Sequence, residues 1–302
     1  MTSYLQVVPS AKEGVPLSAH TTYRLGGPAD FLVEVKTTDE FVQAVIAARH
    51  LGLPLLILGH GSNILVADVG FRGVVVKLKA QSIVQNGNSV TADAGVSMGR
   101  LAHWAVDRGL AGIEFAVGIP GTVGGSVRGN AGCFGAEIKD VVSVVEILTS
   151  KNERRTLANA NCAFGYRDSL FKHSDSLILN ATFTLHDAEA GEGKELLQQW
   201  GKKRLEEQDF SKPSSGCAFK NPPGNAAGKM IDDLGLKGLK IGGAQVSERH
   251  ANFLIHDGSA KAADVLELLK QVRSKVKDRY GIELEPEIML AGFSEEELKG
   301  IG

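Results

Sequence analysis

The sequence predicts an α+β protein, with a β-rich part followed by an α/β part. Three observations predict it. Short strand-like apolar stretches are scattered through residues 31–185, without a regular strand–helix alternation. The polar, glycine-containing stretch AEAGEGK at residues 188–194 breaks the chain. After it come a charged helical pattern, a Pro/Gly-rich loop and a strand–helix–strand pattern. At 302 residues there is room for two or three domains of ~100–200 residues each.

Taken in order, residues 31–35 alternate apolar and polar and read as a strand. Thr37 and Glu40 form a capping-box pattern for a helix to about His50, stopped by Gly52. Residues 54–58 are a short buried strand. Strands are expected at 74–78, 89–94, 141–148 and 176–185, with one helix at 97–108 stopped by Gly109. Beyond the break, a helix runs to about Gln208 and a loop covers 212–224. Residues 251–256 read as a strand and 260–280 as a long amphipathic helix, with Val265, Leu268, Leu269, Val272 and Val276 on its core stripe. A closing strand is expected at 284–290.

The bulk numbers exclude several classes. A net charge of −2 gives no sign of a nucleic-acid partner or an anionic membrane. No apolar run approaches the ~18–20 residues of a membrane span. The opening MTSYLQVVPS has no basic segment followed by an apolar core, so a cytoplasmic protein is expected. Cys133, Cys162 and Cys217 are odd in number and widely spaced, which argues against a disulfide framework and fits a reducing compartment. No Cys or His spacing suggests a metal site.

Five segments carry candidate chemistry. GIPGTVGGSVRGNAGCFGAEI, residues 118–138, gives up side-chain packing. Such a run suits backbone lying against something large and flat, or a set of ordinary tight turns. GHGSN, residues 59–63, ends a strand and could present backbone N–H groups to a diphosphate, or be a plain turn. FGYRDSLFK, residues 164–172, offers Arg167 as a fork for a carboxylate or phosphate, or as a surface partner of Asp168. SSGCAFKNP, residues 214–222, holds Cys217, a thiol that can donate a proton, attack an electrophile or simply pack. LEPEI, residues 284–288, puts Glu285 and Glu287 on one face of an extended chain, as acid/base candidates or as a solvated edge. No GxGxxG occurs, and GNAAGKM lacks the spacing and the Ser/Thr of a P-loop.

In order and spacing, these segments together with HTTYRLGGPADFLVEV (residues 20–35) and LKGLKIGGAQVSERHANFLIH (residues 236–256) resemble the UDP-N-acetylenolpyruvoylglucosamine reductase (MurB) family of flavoenzymes. The resemblance implies a two-subdomain FAD-binding fold of the vanillyl-alcohol oxidase/p-cresol methylhydroxylase type plus a C-terminal α/β substrate-binding domain. It divides the chain into residues 1–56, 57–190 and 191–302. It implies noncovalent FAD held by Gly59, His60, Gly61, Ser62, Asn63, Gly118, Gly121, Thr122, Gly124, Gly125, Asn130 and Gly132. NADPH is the implied hydride donor, and UDP-N-acetylglucosamine enolpyruvate the substrate. Hydride passes from flavin N5 to the vinyl terminus, and the adjacent carbon takes a proton.

By residue match, Arg167 contacts the substrate carboxylate and the developing enolate, and Glu287 assists the enolate or the proton. Cys217 stands where most members have a serine proton donor. Thiols ordinarily titrate near ~8.5 and are stronger acids than hydroxyls. Asn221, Arg204 and His250 match contacts to the UDP-sugar. The pair Ile288-Met289 departs from an arginine common in the family soon after the glutamate. Only 44 residues separate His173 from Cys217, which implies the shorter, more open subtype. The competing readings are an oxidase on the same FAD fold and a non-catalytic flavin or nucleotide-sugar binder.

Overall fold

The computed structural model describes residues 3–189, 191–209 and 212–301. The chain divides into two compact units, each discontinuous in sequence. One comprises Met1–Lys12, Leu32–His60 and Val74–Arg204; the other comprises Glu13–Phe31, Gly61–Gly73 and Leu205–Gly302.

In the first unit, the helix Thr38–His50 starts where the sequence predicts. The Thr37 hydroxyl accepts from the Glu40 N–H at 3.1 Å, and Gly52 takes φ +65° just beyond the end. The Glu40 carboxylate completes the start by accepting from the Lys36 N–H at 2.6 Å, one residue earlier than a standard box. The strand Leu55–Leu58 runs parallel to Phe71–Leu78, with Leu55 opposite Val74. Val74, Val75 and Val76 are wholly buried, so this strand reads as a continuous apolar run. A five-stranded antiparallel sheet follows, in the order Arg154–Ala158, Val142–Leu148, Leu177–Thr184, Ser89–Asp93, Ile83–Asn86. The helix Met98–Val106 is capped by the Ser97 hydroxyl, and Gly109 at φ +72° lies beyond its end.

The glycine run holds more order than a loop. Its centre is a six-residue helix, Val123–Arg128. Gly124 is required there, because a Cβ on it would lie 2.9 Å from the Ala94 Cβ. The polar stretch at 188–194 includes Ala190, outside the described residues, and leads into the helix Glu192–Glu207.

In the second unit, Lys240–Ile241, Ala244–Val246 and Leu254–His256 form a three-stranded antiparallel sheet. The helix Ala262–Tyr280 buries Val265, Leu268, Leu269, Val272 and Val276, the predicted stripe, and ends at Gly281 in the left-handed conformation. Both Asp68 carboxylate oxygens accept from the first N–H groups of that helix, at 2.9 and 3.0 Å. The expected strand at 284–290 is shorter and later. Met289–Ala291 pairs in parallel with Ile64–Val66, while residues 284–288 make only the isolated bridge Phe219–Pro286. Pro286 lies opposite Phe219 between the Lys220 N–H to Glu285 and Glu287 N–H to Ala218 bonds, so the N–H it lacks is on the edge away from Phe219, where a second strand would have to pair.

Candidate active site

In the first unit the two predicted cofactor segments meet. A Cβ on Gly59 would fall 2.5 Å from the Thr122 Oγ1, so only glycine lets the strand end approach the glycine run this closely. The His60 ring hydrogen-bonds the Pro120 backbone. The His60 pKa lies below the ordinary imidazole value, first through lost hydration and then through the charges of Lys77 and Lys79, with the Pro120 bond opposing. Burial, aided by Lys79, brings Lys77 down to about 8 against the pull of Glu34. Two lysines behind the strand end make this corner electropositive.

Among the described residues, the backbone N–H groups of residues 59–63 meet no protein acceptor. The buried Ser126 hydroxyl, on the short helix of the glycine run, also has no partner. The first two N–H groups of that helix are committed to Val96 and Ala94, both at 2.8–2.9 Å. Within the first unit, the uncommitted N–H groups of Gly59 and His60, an orphaned buried hydroxyl and nearby positive charge fit a diphosphate-bearing cofactor.

Other residues of the glycine run serve the fold itself. Asn130, at φ +41° and fully buried, donates to the Gly165 carbonyl at 2.8 Å and the Glu137 carboxylate at 3.0 Å, and accepts from the Lys139 N–H at 2.9 Å. Its carboxamide is thus spent within the protein. Gly132 faces the Ala136 carbonyl, 2.7 Å from where a Cβ would sit. A Cβ on Gly118 would meet the Arg204 Cγ at 2.5 Å. Arg204 also donates to the Cys133 sulfur at 3.2 Å. Gly125 has open space around it except for the Thr122 hydroxyl at 3.7 Å.

Arg167 sits on the turn that Asn130 staples. Its backbone is left-handed, φ +53°, between the bridged residues Gly165 and Asp168. One guanidinium nitrogen donates to the Gly132 carbonyl at 3.0 Å, and the Arg167 carbonyl accepts from Lys172 at 2.6 Å. Asp168 receives the His173 ring nitrogen at 2.9 Å. Burial would raise the Asp168 carboxyl, but the His173 bond and the Ser169 N–H outweigh it and hold the pKa below the ordinary range.

In the second unit, the Cys217 and Glu287 segments lie side by side. The Glu287 N–H donates to the Ala218 carbonyl at 2.8 Å, and the Lys220 N–H to the Glu285 carbonyl at 2.9 Å. Cys217 and Glu287 are both half-buried. Glu285, the other predicted carboxylate, is exposed and pairs with Lys220 at 2.5 Å. Asn63 ties in from the 59–63 loop, its amide donating to the Glu287 carbonyl at 3.0 Å while its own carbonyl accepts from the Met289 N–H. Gly61 takes φ +68°, and a Cβ there would lie 2.4 Å from the His20 carbonyl. The Asn221 side-chain oxygen accepts from the Ala227 N–H at 3.0 Å, at the start of the helix Ala227–Asp233. His250 accepts from the Asn252 N–H through Nδ1 at 3.2 Å. The cysteines are unbridged, and among the described residues no cluster of His, Cys, Asp and Glu is arranged for a metal. No helix among them is long and apolar enough to cross a membrane.

Two residues escape the sequence reading, Ser126 and Asn252. Ser126 is one polar residue inside a glycine-rich helix, and Asn252 sits between Ala251 and Phe253 in what reads as a plain strand.

Residues 29–158 match the FAD binding domain family, and residues 208–291 match the UDP-N-acetylenolpyruvoylglucosamine reductase C-terminal domain. The chain is 42% identical over 278 residues to the UDP-N-acetylenolpyruvoylglucosamine reductase of Caldanaerobacter subterraneus subsp. tengcongensis, covering 92% of each. It is 39% identical to that of Geobacillus kaustophilus, covering 92% of this chain and 91% of the relative. The crystal structure of the Thermus caldophilus enzyme superposes with a TM-score of 0.79 at 33% identity, over 92% of this chain and 98% of that one. The α+β architecture, with an FAD-binding N-terminal part and an α/β C-terminal domain, is that of an FAD-dependent oxidoreductase. The chain belongs to the UDP-N-acetylenolpyruvoylglucosamine reductase family.

Proposed function

We propose that the chain catalyses the NADPH-dependent reduction of UDP-N-acetylglucosamine enolpyruvate to UDP-N-acetylmuramate, in peptidoglycan precursor synthesis in the cytoplasm. The observation that carries the reading is the pairing of the Cys217 segment with the Glu287 segment, through the Glu287 N–H on the Ala218 carbonyl at 2.8 Å. It sets a thiol and a carboxylate on adjacent stretches of chain in a family whose members are named for an enolpyruvyl substrate.

FAD, when bound by the 59–63 loop, Thr122 and the open glycines, would supply the redox chemistry, as the hydride carrier between NADPH and the vinyl carbon of the substrate. The protein's tasks follow from the charge that this addition creates. Electron density moves onto the carbon next to the carboxylate and into the carboxylate itself. Arg167 holds that carboxylate and stabilises the enolate with its fixed fork. The Cys217 Sγ–H delivers the proton that the neighbouring carbon needs, leaving a thiolate to be reprotonated from solvent. Glu287 assists the same step. Asn221, Arg204 and His250 contact the UDP-sugar. The 59–63 loop, Thr122 and the open glycines of the run hold FAD. Thiol in place of the more usual serine, and the short span between His173 and Cys217, make this a cysteine-bearing member of the shorter subtype.

The test is anaerobic. NADPH bleaches the FAD-loaded protein, and UDP-N-acetylglucosamine enolpyruvate then restores the flavin absorbance. Bleaching without recovery removes this substrate and points to another oxidant on the same fold. Failure to take up FAD removes the enzyme.

A further inference from the structure

Asn252 is 3% exposed, and every polar group it owns is engaged. Its side-chain oxygen accepts from the Phe219 N–H at 3.0 Å, and its side-chain nitrogen donates to the Phe219 carbonyl at 2.8 Å. Its main-chain carbonyl accepts from the Ala218 N–H at 2.7 Å. Its main-chain N–H donates to the His250 Nδ1 at 3.2 Å. Three of the four main-chain polar groups in the two residues after Cys217 therefore end on Asn252. The fourth, the Ala218 carbonyl, takes the Glu287 N–H at 2.8 Å. Phe253, the next residue, bridges to Cys217.

A carboxamide matches a peptide unit because it presents one donor side and one acceptor side on a planar head. The two bonds to Phe219 fix which way the head points, since the reverse orientation would face donor to donor and acceptor to acceptor. Aspartate has the same shape but no donor, so it would leave the Phe219 carbonyl against a carboxylate. Alanine would leave both Phe219 groups buried and unpaired.

We propose that Asn252 is a positioning residue that fixes the Cys217 thiol and the Glu287 carboxylate in one register through residues 218 and 219. Being almost wholly buried, it acts through the residues it bonds. The inference rests on reading Cys217 and Glu287 as the reacting groups, and its first readout does not depend on that reading.

Asn252→Asp, Asn252→Ser and Asn252→Ala are compared with wild type. The first readout is the iodoacetamide alkylation rate of Cys217, mapped by mass spectrometry, beside amide exchange at Ala218 and Phe219. The second is the pair of anaerobic half-reactions. We expect slow exchange at both amides in wild type and at least tenfold faster exchange in Asn252→Asp. The Cys217 alkylation rate should change at least threefold. Substrate-driven flavin reoxidation should slow about 10- to 100-fold, as expected for reacting groups displaced by about 1 Å. NADPH bleaching should stay within twofold. Asn252→Ser, whose hydroxyl ends one bond short of the carboxamide oxygen and cannot reach the Phe219 N–H, should lose as much as Asn252→Ala. Fast exchange in wild type, or an unchanged alkylation rate in a folded Asn252→Asp, overturns the proposal. Equal slowing of both half-reactions overturns it too, because that marks a general structural role. If Cys217→Ala itself leaves reoxidation intact, the proposed chemistry fails, and altered alkylation in Asn252→Asp would still establish what Asn252 holds.

Discussion

Around Arg167 the backbone is bent into left-handed turns and stapled by side chains, whereas around Cys217 and Glu287 extended segments pair main chain to main chain. Asn130, Phe134, Ala163 and Arg167 all have positive φ without being glycine. Each costs of order 1 kcal/mol in backbone energy and persists only where surrounding bonds over-determine it. Segments 217–221, 250–253 and 285–287 contain no such residue. There the order comes from hydrogen bonds between stretches of chain far apart in sequence. A buried asparagine sits at the centre of each arrangement, Asn130 in one and Asn252 in the other. A strained local turn carries one cation, while a paired scaffold carries a thiol and a carboxylate on adjacent stretches.

The largest expected effect tests what the paired scaffold carries. Cys217→Ala should leave NADPH bleaching within twofold of wild type and slow flavin reoxidation by ~10²–10⁴, the range for losing a general acid. Stopped-flow absorbance reads both steps. Equal loss in both would make the thiol a packing group and leave the two regions without a functional contrast.

Next comes the staple of the strained turn. Asn130→Ala leaves the Gly165 carbonyl, the Glu137 carboxylate and the Lys139 N–H without their buried partner. That should cost about 2–3 kcal/mol in urea unfolding. A loss below about 1 kcal/mol would mean that the turn holds its shape without Asn130. Acidification probes the same turn. Asp168 has a folded pKa below its ordinary value, so its contribution is complete above about pH 4 and fades as pH falls through the folded value. His173→Ala should shift the acid-unfolding midpoint upward, because it removes the leading cause of that depression.

Helix and strand positions were largely legible because they rest on local patterning. Thr37, Gly52, Ser97, Gly109 and Gly281 punctuate the chain where their chemistry predicts. The glycine run was legible as a place of close approach, but not its internal helix. Residues 123–128, VGGSVR, have poor helix propensity and are held by bonds to Val96 and Ala94, whose positions depend on the whole sheet. Nor was the grouping of residues 13–31 and 61–73 with the C-terminal part legible. It reflects the parallel pairing of Ile64–Val66 with Met289–Ala291 and the Asp68 cap on a distant helix. Asn252 was invisible for the same reason, since its partner Phe219 is defined only by tertiary pairing.

A smaller effect separates glycines that pack from glycines that turn. Gly124→Ala puts a methyl 2.9 Å from the Ala94 Cβ, while Gly135→Ala meets nothing within 4 Å but must hold φ +85°. The first should cost about 1–3 kcal/mol by overpacking, and should loosen FAD by shifting the helix that carries Ser126. The second should cost about 1 kcal/mol through backbone strain alone and leave FAD retention unchanged. Unfolding titrations and FAD dissociation measured together distinguish them. Equal FAD loss in both would mean that the run responds to disturbance anywhere along it.

The smallest effect concerns which thiols answer to solvent. Cys162 is fully buried, and burial pushes its thiol up to about 11, so at pH 8 almost none of it is thiolate. Cys133 and Cys217 are half-buried and reachable. Alkylation at pH 8 should therefore label those two and leave Cys162 unmodified until the protein unfolds. Bound UDP-N-acetylglucosamine enolpyruvate should slow labelling at Cys217, because the proton donor lies against the substrate in the proposed reaction. Early labelling of Cys162 would mean that its surroundings open on the reaction timescale, and loss of activity would then no longer report on Cys217 alone.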